Sequence, residues 1–253
     1  MAEIPRSYID GYDTAMNDAI DRLQTELRAA LGTVDYSKPI GEVRDEVIAI
    51  MDAYCDAASA TGARISAEFY AGLRQMATGR DTILSLQTGR NAQDTERAVK
   101  AFVSRLLEGD EDAEEAFDDL LCERLELETK KAAAYNTIDN VRQDPLRPRF
   151  ARVPTGEKTC DFCIMLASRG PVYLTEESAG AFTQFHAHCD CKVVPFFDSE
   201  YDGWSRRKST TTVEGYDPDA YYQQYQELMK NPLFEARMQR ASARAKERQR
   251  ANR

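Results

Sequence analysis

The chain has 253 residues, of which 42% are hydrophobic, so it can bury the core of one or two domains. Its 43 acidic and 33 basic residues give a formal charge of -10, which argues against a protein whose whole surface binds nucleic acid. No stretch approaches the roughly 20 apolar residues of a transmembrane helix, and residues 1–5 lack the apolar core of a signal peptide. We therefore expect a soluble protein with no membrane partner.

Long amphipathic helices are predicted for the first 148 residues. The first has apolar residues every three or four positions, and Gly32 follows it as a C-terminal stop. Its apolar positions are Tyr12, Met16, Ile20, Leu23, Leu27 and Leu31. A second helical pattern extends over residues 43–76 and contains a run of small residues at 57–63. We expect this run to let another helix approach closely, with Gly62 as a candidate kink.

Two further helices are predicted after a connector at residues 79–94. Asp94 is the expected cap of the third helix, and Pro145 and Pro148 are expected to end the fourth. The apolar face of the fourth helix consists of Phe117, Leu120, Leu121, Leu125, Ala132, Tyr135, Ile138 and Val141. Because helix packing accounts for all these faces, they predict a bundle or a bent helical arm rather than a catalytic cleft.

From residue 150 onward, glycine and proline interrupt the chain and predict short irregular segments. Residues 171–174 and 193–197 are candidate strands. Residues 205–212 are interpreted as a polar connector, and Asp217 followed by Pro218 is a helix-start signal. In residues 231–253, seven Arg or Lys against two Glu give a local charge of +5. Such a segment is typical of a solvated helix or a frayed tail, and the alternative is a docking arm for DNA or an acidic partner.

These patterns predict a mainly α fold with a small α+β C-terminal module. Long N-terminal helices are followed by an irregular module held together by zinc and then by a C-terminal helix. We divide the chain into a helical domain at 1–148, a zinc-binding module at 149–200, and a connector, C-terminal helix and basic tail at 201–253.

Four of the six cysteines and both histidines fall within 32 residues. The segment reads Cys160-Asp-Phe-Cys163, then 22 residues, then His186-Ala-His188-Cys189-Asp-Cys191. Random placement would put both histidines in this window on the order of 1–2% of the time, so the clustering requires a cause. The other two cysteines, Cys55 and Cys122, lie in helical apolar patterns and are expected to be buried as small hydrophobic residues.

Zinc binding supplies that cause. A structural zinc ion takes four sulfur or nitrogen ligands, and two close pairs joined by a loop satisfy that demand. The favoured ligands are Cys160, Cys163, His186 and one or both of Cys189 and Cys191. His188 is adjacent to Cys189, so the two are not both expected to reach one ion. Thr159 is predicted to cap a short helix at 160–168 that carries the first two thiols. A site with this many protein ligands favours a structural ion, since catalytic sites keep an open position.

Three other chemistries could use the same residues. A redox Cys-x-x-Cys motif would need an apolar strand before Cys160, and we expect residues 152–158 to lack one. A zinc-dependent nucleobase deaminase would need an upstream His-x-Glu or Cys-x-Glu, and the sequence has neither. A nuclease of the His-Asn-His type stays open, and it would use His186 or His188 as a general base.

Residues 152–173 and 185–191 carry a family resemblance. They resemble the minor capsid, or head morphogenesis, proteins of tailed bacteriophages that share the domain named after the F protein of phage Mu, most closely in the actinobacterial phage branch. That family has the pattern Cys-x-x-Cys, a gap and His-x-x-Cys-x-Cys. The residues that match it position by position are Cys160, Cys163, His186, Cys189 and Cys191.

His188 is an addition to the family pattern, and Ala187 and Asp190 stand where the family often has proline and arginine. These departures change the charge near the site but not the spacing of the ligands. The resemblance covers residues 150–198 in detail. It implies a protein that is incorporated in few copies during capsid assembly, near the portal and the packaged DNA.

The leading hypothesis is a virion component that is not an enzyme and is assembled in the reducing cytoplasm of the host. Its helices would bind the portal protein, the major capsid protein or both, and its basic tail would contact phage genomic DNA. The alternatives are the zinc-containing nuclease and a DNA-binding regulator built on a zinc module. The regulator is disfavoured because residues 150–198 contain few clustered base-reading Arg or Lys.

Overall fold

Helices make up most of the computed structural model, which describes residues 3–107, 112–156, 158–175, 191–198, 200–201, 207–209, 211–236, 238–240 and 243. The helices are α1 (Arg6–Leu31), α2 (Ile40–Thr78), α3 (Ala92–Phe102), α4 (Ala113–Gln143), α5 (Asp161–Ala167) and α6 (Pro218–Met229). The strands are β1 (Glu3–Ile4), β2 (Arg149–Pro154), β3 (Cys191–Phe196), β4 (Glu200–Tyr201), β5 (Arg207–Lys208) and β6 (Thr212–Val213). The predicted class, mainly α with a few small strands, is confirmed, and the division into three parts stays a prediction.

The two longest helices, α2 and α4, pack against each other at the run of small residues in α2. An alanine Cβ built at Gly62 would lie 2.3 Å from the backbone oxygen of Thr129 in α4, so only a residue without a side chain fits there. The expected close approach of another helix is therefore confirmed. Helix α2 continues through Gly62 as a single helix of 39 residues.

A hydrophobic core joins α1, α2, α3 and α4. It contains the C-terminal half of the predicted face of α1 and the N-terminal half of that of α4 together with Val99 of α3, and Ile138 and Val141 of α4 belong to a second cluster with β2 and α5. The predicted cap of α3 is wrong, because the side chain of Asn91 accepts the hydrogen bond from the backbone N–H of Gln93, while Asp94 lies within the first turn. Residues 108–111, part of the acidic stretch before α4, lie outside the described residues.

A buried ion pair connects the C-terminal ends of α2 and α4. Arg74 Nε donates to Asp144 Oδ2 over 2.6 Å, and the two side chains are 7% and 1% exposed. Tyr70 and the backbone N–H of Leu146 also donate to this carboxylate. Burial raises the pKa of Asp144, but the hydrogen bonds from Arg74, Leu146 and Tyr70 outweigh burial and hold that pKa below its ordinary value. The pair fixes the point at which the chain leaves α4 for β2.

The strands described form three small sheets. β1 pairs in parallel with β6, β2 pairs antiparallel with β3, and β4 pairs antiparallel with β5. Strand β3 confirms the candidate at 193–197. The other candidate, 171–174, contributes only a bridge from Tyr173 to Phe150. Strands β5 and β6 also fall at the predicted polar connector, which is therefore not wholly irregular.

Strand β2 was not predicted. It immediately precedes the Cys-x-x-Cys segment, so the argument that this segment lacks a preceding strand is wrong. Its central residues are buried against α2 and α5 in hydrophobic clusters that include Phe150 and Val153. The sheet formed by β2 and β3 therefore belongs to the same packed core as the helices.

The C-terminal helix α6 begins as predicted. Asp217 is its N-cap and accepts from the backbone N–H of Asp219, and Pro218 occupies the first turn. Helix α6 packs on α5. Among the helices described, none combines the length and the apolar content that a bilayer crossing requires.

Candidate metal centre

The sheet of β2 and β3 places Cys191 beside the start of the Cys-x-x-Cys segment. In the register of the two strands, Cys191 lies opposite Pro154, the last residue of β2. Helix α5 begins at Asp161, seven residues after the end of β2. Cys191 and the α5 thiols therefore come from segments that are 28 or more positions apart in sequence and adjacent in space.

Helix α5 carries the first two thiols. Cys160 is its N-cap residue and Cys163 lies in its first turn, so the predicted helix is confirmed, but the predicted cap, Thr159, is wrong. Two tyrosine hydroxyls hold the other end of the helix, since Tyr173 donates to the oxygen of Leu166 over 2.8 Å and Tyr216 donates to the oxygen of Ala167 over 2.6 Å. These hydrogen bonds satisfy carbonyl groups that a helix end leaves without a partner in the helix.

Three of the five predicted ligands lie together. The sulfur atoms of Cys163 and Cys191 are 2.9 Å apart, both residues are almost completely buried, and the half-buried Cys160 packs against them. None of the three forms a disulfide with another described residue. The other two predicted ligands, His186 and Cys189, lie outside the described residues, as does His188. Within the part of the chain that the structure describes, no group of three or more His, Cys, Asp or Glu side chains is arranged to hold a metal ion.

A buried arginine lies behind the thiols. Arg152, in the middle of β2, is 1% exposed and its guanidinium donates a hydrogen bond to the sulfur of Cys191. Hydrogen bonds from a charged donor favour negative charge on the acceptor. The surroundings of Cys191 therefore suit a thiolate.

Helix α1 holds both segments that carry the thiols. Arg6 donates to the backbone oxygen of Thr155 over 2.8 Å and to that of Pro154 over 3.3 Å, on the path from β2 to Cys160. Asp13 forms an ion pair with Lys192, the residue after Cys191. Sequence patterns did not identify Arg6, Asp13, Arg152 or Lys192, because their partners lie far away in the chain.

The donor set fits zinc. Thiolates are zinc ligands, and structural zinc sites are built from cysteines contributed in pairs by separate segments, as Cys160, Cys163 and Cys191 are. Two sulfur ligands at about 2.3 Å from one zinc ion in a tetrahedral site would lie about 3.8 Å apart. The sulfur atoms of Cys163 and Cys191 are 2.9 Å apart, so zinc binding would move them apart by about 1 Å. Such a change is within reach of side-chain rotation.

The remaining cysteines are separate from this cluster. Cys55 and Cys122 are buried in the helical core, as predicted. Burial, followed by the nearby charge of Glu128, raises the pKa of Cys55 to about 11, and burial also raises the pKa of Cys122. Neutral, buried thiols of this kind are packing residues.

Fold and site define a helical protein that carries a cluster of cysteines where a short helix meets a small antiparallel sheet. Comparison with known proteins identifies it as a bacteriophage protein. A family model described as "VG15 protein" matches residues 3–228, and the chain belongs to this family. Its curated relatives include the "Gene 15 protein" of Mycobacterium phage D29, which is 34% identical over 29% of this chain and 38% of the relative. The "Gene 15 protein" of Mycobacterium phage L5 is 32% identical over 34% of this chain and 42% of the relative. The alignments thus span less than half the length of these relatives, and no solved structure matches the chain.

Proposed function

We propose that this protein is a minor capsid protein of the Mu F-like head morphogenesis type. It is a virion component near the portal and the packaged DNA, it is not an enzyme, and it contains a structural zinc ion. Its membership of a family with bacteriophage proteins among its members supports a role in a bacteriophage. The convergence of Cys160, Cys163 and Cys191 is the observation that carries the zinc site.

The zinc ion, when bound, joins the start of α5 to the start of β3. Cys160, Cys163 and Cys191 supply three ligands, and the fourth comes from Cys189 or His186. Covalent geometry alone keeps the Cα of Cys189 within about 7 Å of that of Cys191, since two residues span no more than that. Cys189 is therefore close enough along the chain to be a ligand of the same ion.

A structural role is proposed because the protein offers five ligand candidates for four positions. A catalytic zinc ion keeps one position open for water or substrate, whereas a structural ion is closed by protein ligands. Two of the three converging thiols are almost completely buried, which favours a closed site. The ion would fix the geometry of the module against the helices.

The proposed partners are the portal protein, the major capsid protein or both, and phage DNA. The helical body carries the excess of negative charge, while residues 231–253 carry a local charge of +5. A short basic segment on an acidic protein can neutralise a few phosphates without binding nucleic acid over the whole surface. DNA is therefore assigned to the tail, and protein partners to the helices.

Metal analysis of the purified, reduced protein tests the zinc site. We expect about one zinc ion per chain in the wild type and in Cys122→Ala, whose thiol lies in the helical core, and loss of zinc in Cys163→Ser. Chelation should release the ion and disorder the module while the helical body stays folded. A metal-free wild type, or a Cys163→Ser variant that retains its zinc, would contradict the proposal.

Mass spectrometry of gradient-purified virions tests the virion assignment. We expect this protein in the particles in far fewer copies than the major capsid protein, and its absence from purified particles would contradict the assignment. Deletion of residues 244–253 should lower DNA affinity and reduce its salt dependence. DNA cleavage by the pure protein that disappears in His186→Ala would support the nuclease instead.

A further inference from the structure

Arg152 is the largest fully buried side chain of the described residues, and its position in the fold is unusual for a cation. It lies in the middle of β2, opposite Val193, and its guanidinium donates to the sulfur of Cys191. An arginine stays charged at any pH at which a protein is folded. A negative charge beside such a buried cation is strongly stabilised, because little water screens the attraction between the two charges.

A zinc–thiolate centre carries negative charge and would place it beside the guanidinium of Arg152. Three thiolates and one imidazole around a zinc ion carry a net charge of about -1, and four thiolates carry about -2. Three neutral thiols carry none. Cys191 lies between Arg152 and Cys163, so a negative centre formed by these sulfurs would directly face the guanidinium.

The neighbouring cation, Lys192, is in a different position. It pairs with Asp13 of α1, and this ion pair is compatible with an empty or a filled zinc site. Among the described residues, the charge of the centre would act on Arg152 through the hydrogen bond from its guanidinium to Cys191.

We propose that Arg152 is a positioning residue that balances the negative charge of the zinc–thiolate centre and thereby raises the affinity of this protein for zinc. This inference rests on the proposed zinc site and adds a residue that the cysteine pattern does not contain. It also specifies the character of the site, a thiolate-rich anionic centre with at least three sulfur ligands. Residues that support metal ligands in this way typically contribute 10–100-fold in affinity.

The experiment measures zinc affinity by chelator competition on the full-length protein. Arg152→Met removes charge and hydrogen bond, Arg152→Gln removes charge but keeps an N–H donor, and Arg152→Lys keeps the charge. Arg149→Met is the matched control, because Arg149 lies on the same strand at the opposite end, paired with Phe196. Circular dichroism confirms that each variant is folded.

The proposal predicts zinc affinities that are lower by about 10–100-fold in Arg152→Met and Arg152→Gln. Arg152→Lys should lie between Arg152→Gln and the wild type, and Arg149→Met should bind as the wild type does. With cobalt in place of zinc, the thiolate-to-cobalt charge-transfer band at saturation should be unchanged in Arg152→Gln, since the ligands are the same. If Arg152→Met does not fold, the zinc affinities of Arg152→Gln and Arg152→Lys test the proposal, and Arg152→Lys should bind more tightly.

Wild-type affinity in Arg152→Gln would overturn the proposal, because charge would then have no effect. A weaker cobalt band at saturation in Arg152→Gln would also overturn it, since the residue would then shape the ligand set rather than balance its charge. If the wild type binds neither zinc nor cobalt, the zinc site itself fails and this role of Arg152 fails with it. The wild-type measurement thus separates failure of the site from failure of the inference.

Discussion

At Gly62 the backbone of α2 lies against α4, and replacement of this glycine by alanine would place a Cβ 2.3 Å from the backbone oxygen of Thr129. Ordinary contacts begin at about 3.4 Å, so the helices would have to separate by about 1 Å. Overpacking of this kind costs up to about 3 kcal/mol, and the upper end applies because the obstructing atom belongs to the backbone. Alanine gains about 1 kcal/mol of helix propensity, which leaves a net loss of about 2 kcal/mol.

Gly11 provides the matched control. It lies in α1, is exposed, and a Cβ built there would meet nothing within 4 Å. The same substitution, Gly11→Ala, should therefore stabilise the protein by about 0.5–1 kcal/mol. Urea unfolding followed by far-UV circular dichroism measures both variants. If Gly62→Ala stabilises the protein as Gly11→Ala does, the described contact between α2 and α4 is wrong.

Three further predictions concern polar contacts in the interior or at its edge. Asp144→Asn leaves the guanidinium of Arg74 without the carboxylate that pairs with it, and should lower the free energy of unfolding in urea by about 3–5 kcal/mol. The control Asp119→Asn breaks an exposed ion pair and should lower it by less than about 1 kcal/mol. Equal losses in the two variants would refute the reasoning. The folded-state pKa of Asp144 is lowered, so its carboxylate stabilises the protein above an unfolded pKa of about 3.9, and this contribution is lost as the pH falls through the folded pKa. The difference in free energy of unfolding between wild type and Asp144→Asn should therefore become smaller at acid pH. A difference that does not depend on pH would argue against a lowered pKa of Asp144. Tyr216→Phe removes the donor to Ala167 and should cost about 1 kcal/mol in thermal unfolding, which an unchanged melting temperature would disprove.

The helical part of the fold could be predicted because residues close together in the sequence determine where helices form and end. Apolar spacing located α1, α2 and α4, and the pair Asp217 and Pro218 located the start of α6. Small residues around Gly62 indicated the close helix contact. The cap of α3 could not be chosen in this way, because Asn91 and Asp94 are both good cap residues and the sequence pattern does not distinguish them.

Strand β2 was missed because it contains Arg149, Arg152 and Pro154, which do not resemble a buried strand. Its burial depends on partners that only the folded chain supplies, above all the sulfur of Cys191. Of the predicted metal site, the structure brings together Cys160, Cys163 and Cys191. The zinc ion and the remaining ligands stay predictions.

The contacts of Arg6 have a consequence for the order in which the protein folds during synthesis. Its backbone N–H donates to Glu214, 208 positions later, and its guanidinium holds the oxygens of Pro154 and Thr155. At translation rates of about 5–20 residues per second, the start of α1 waits roughly 10–40 seconds for Glu214 to be made. During that interval Ile4 and Ile9, which are buried in the finished protein, lack the part of their cover that Val194, Phe196 and Val213 supply. They are then open to chaperones or to association with other nascent chains.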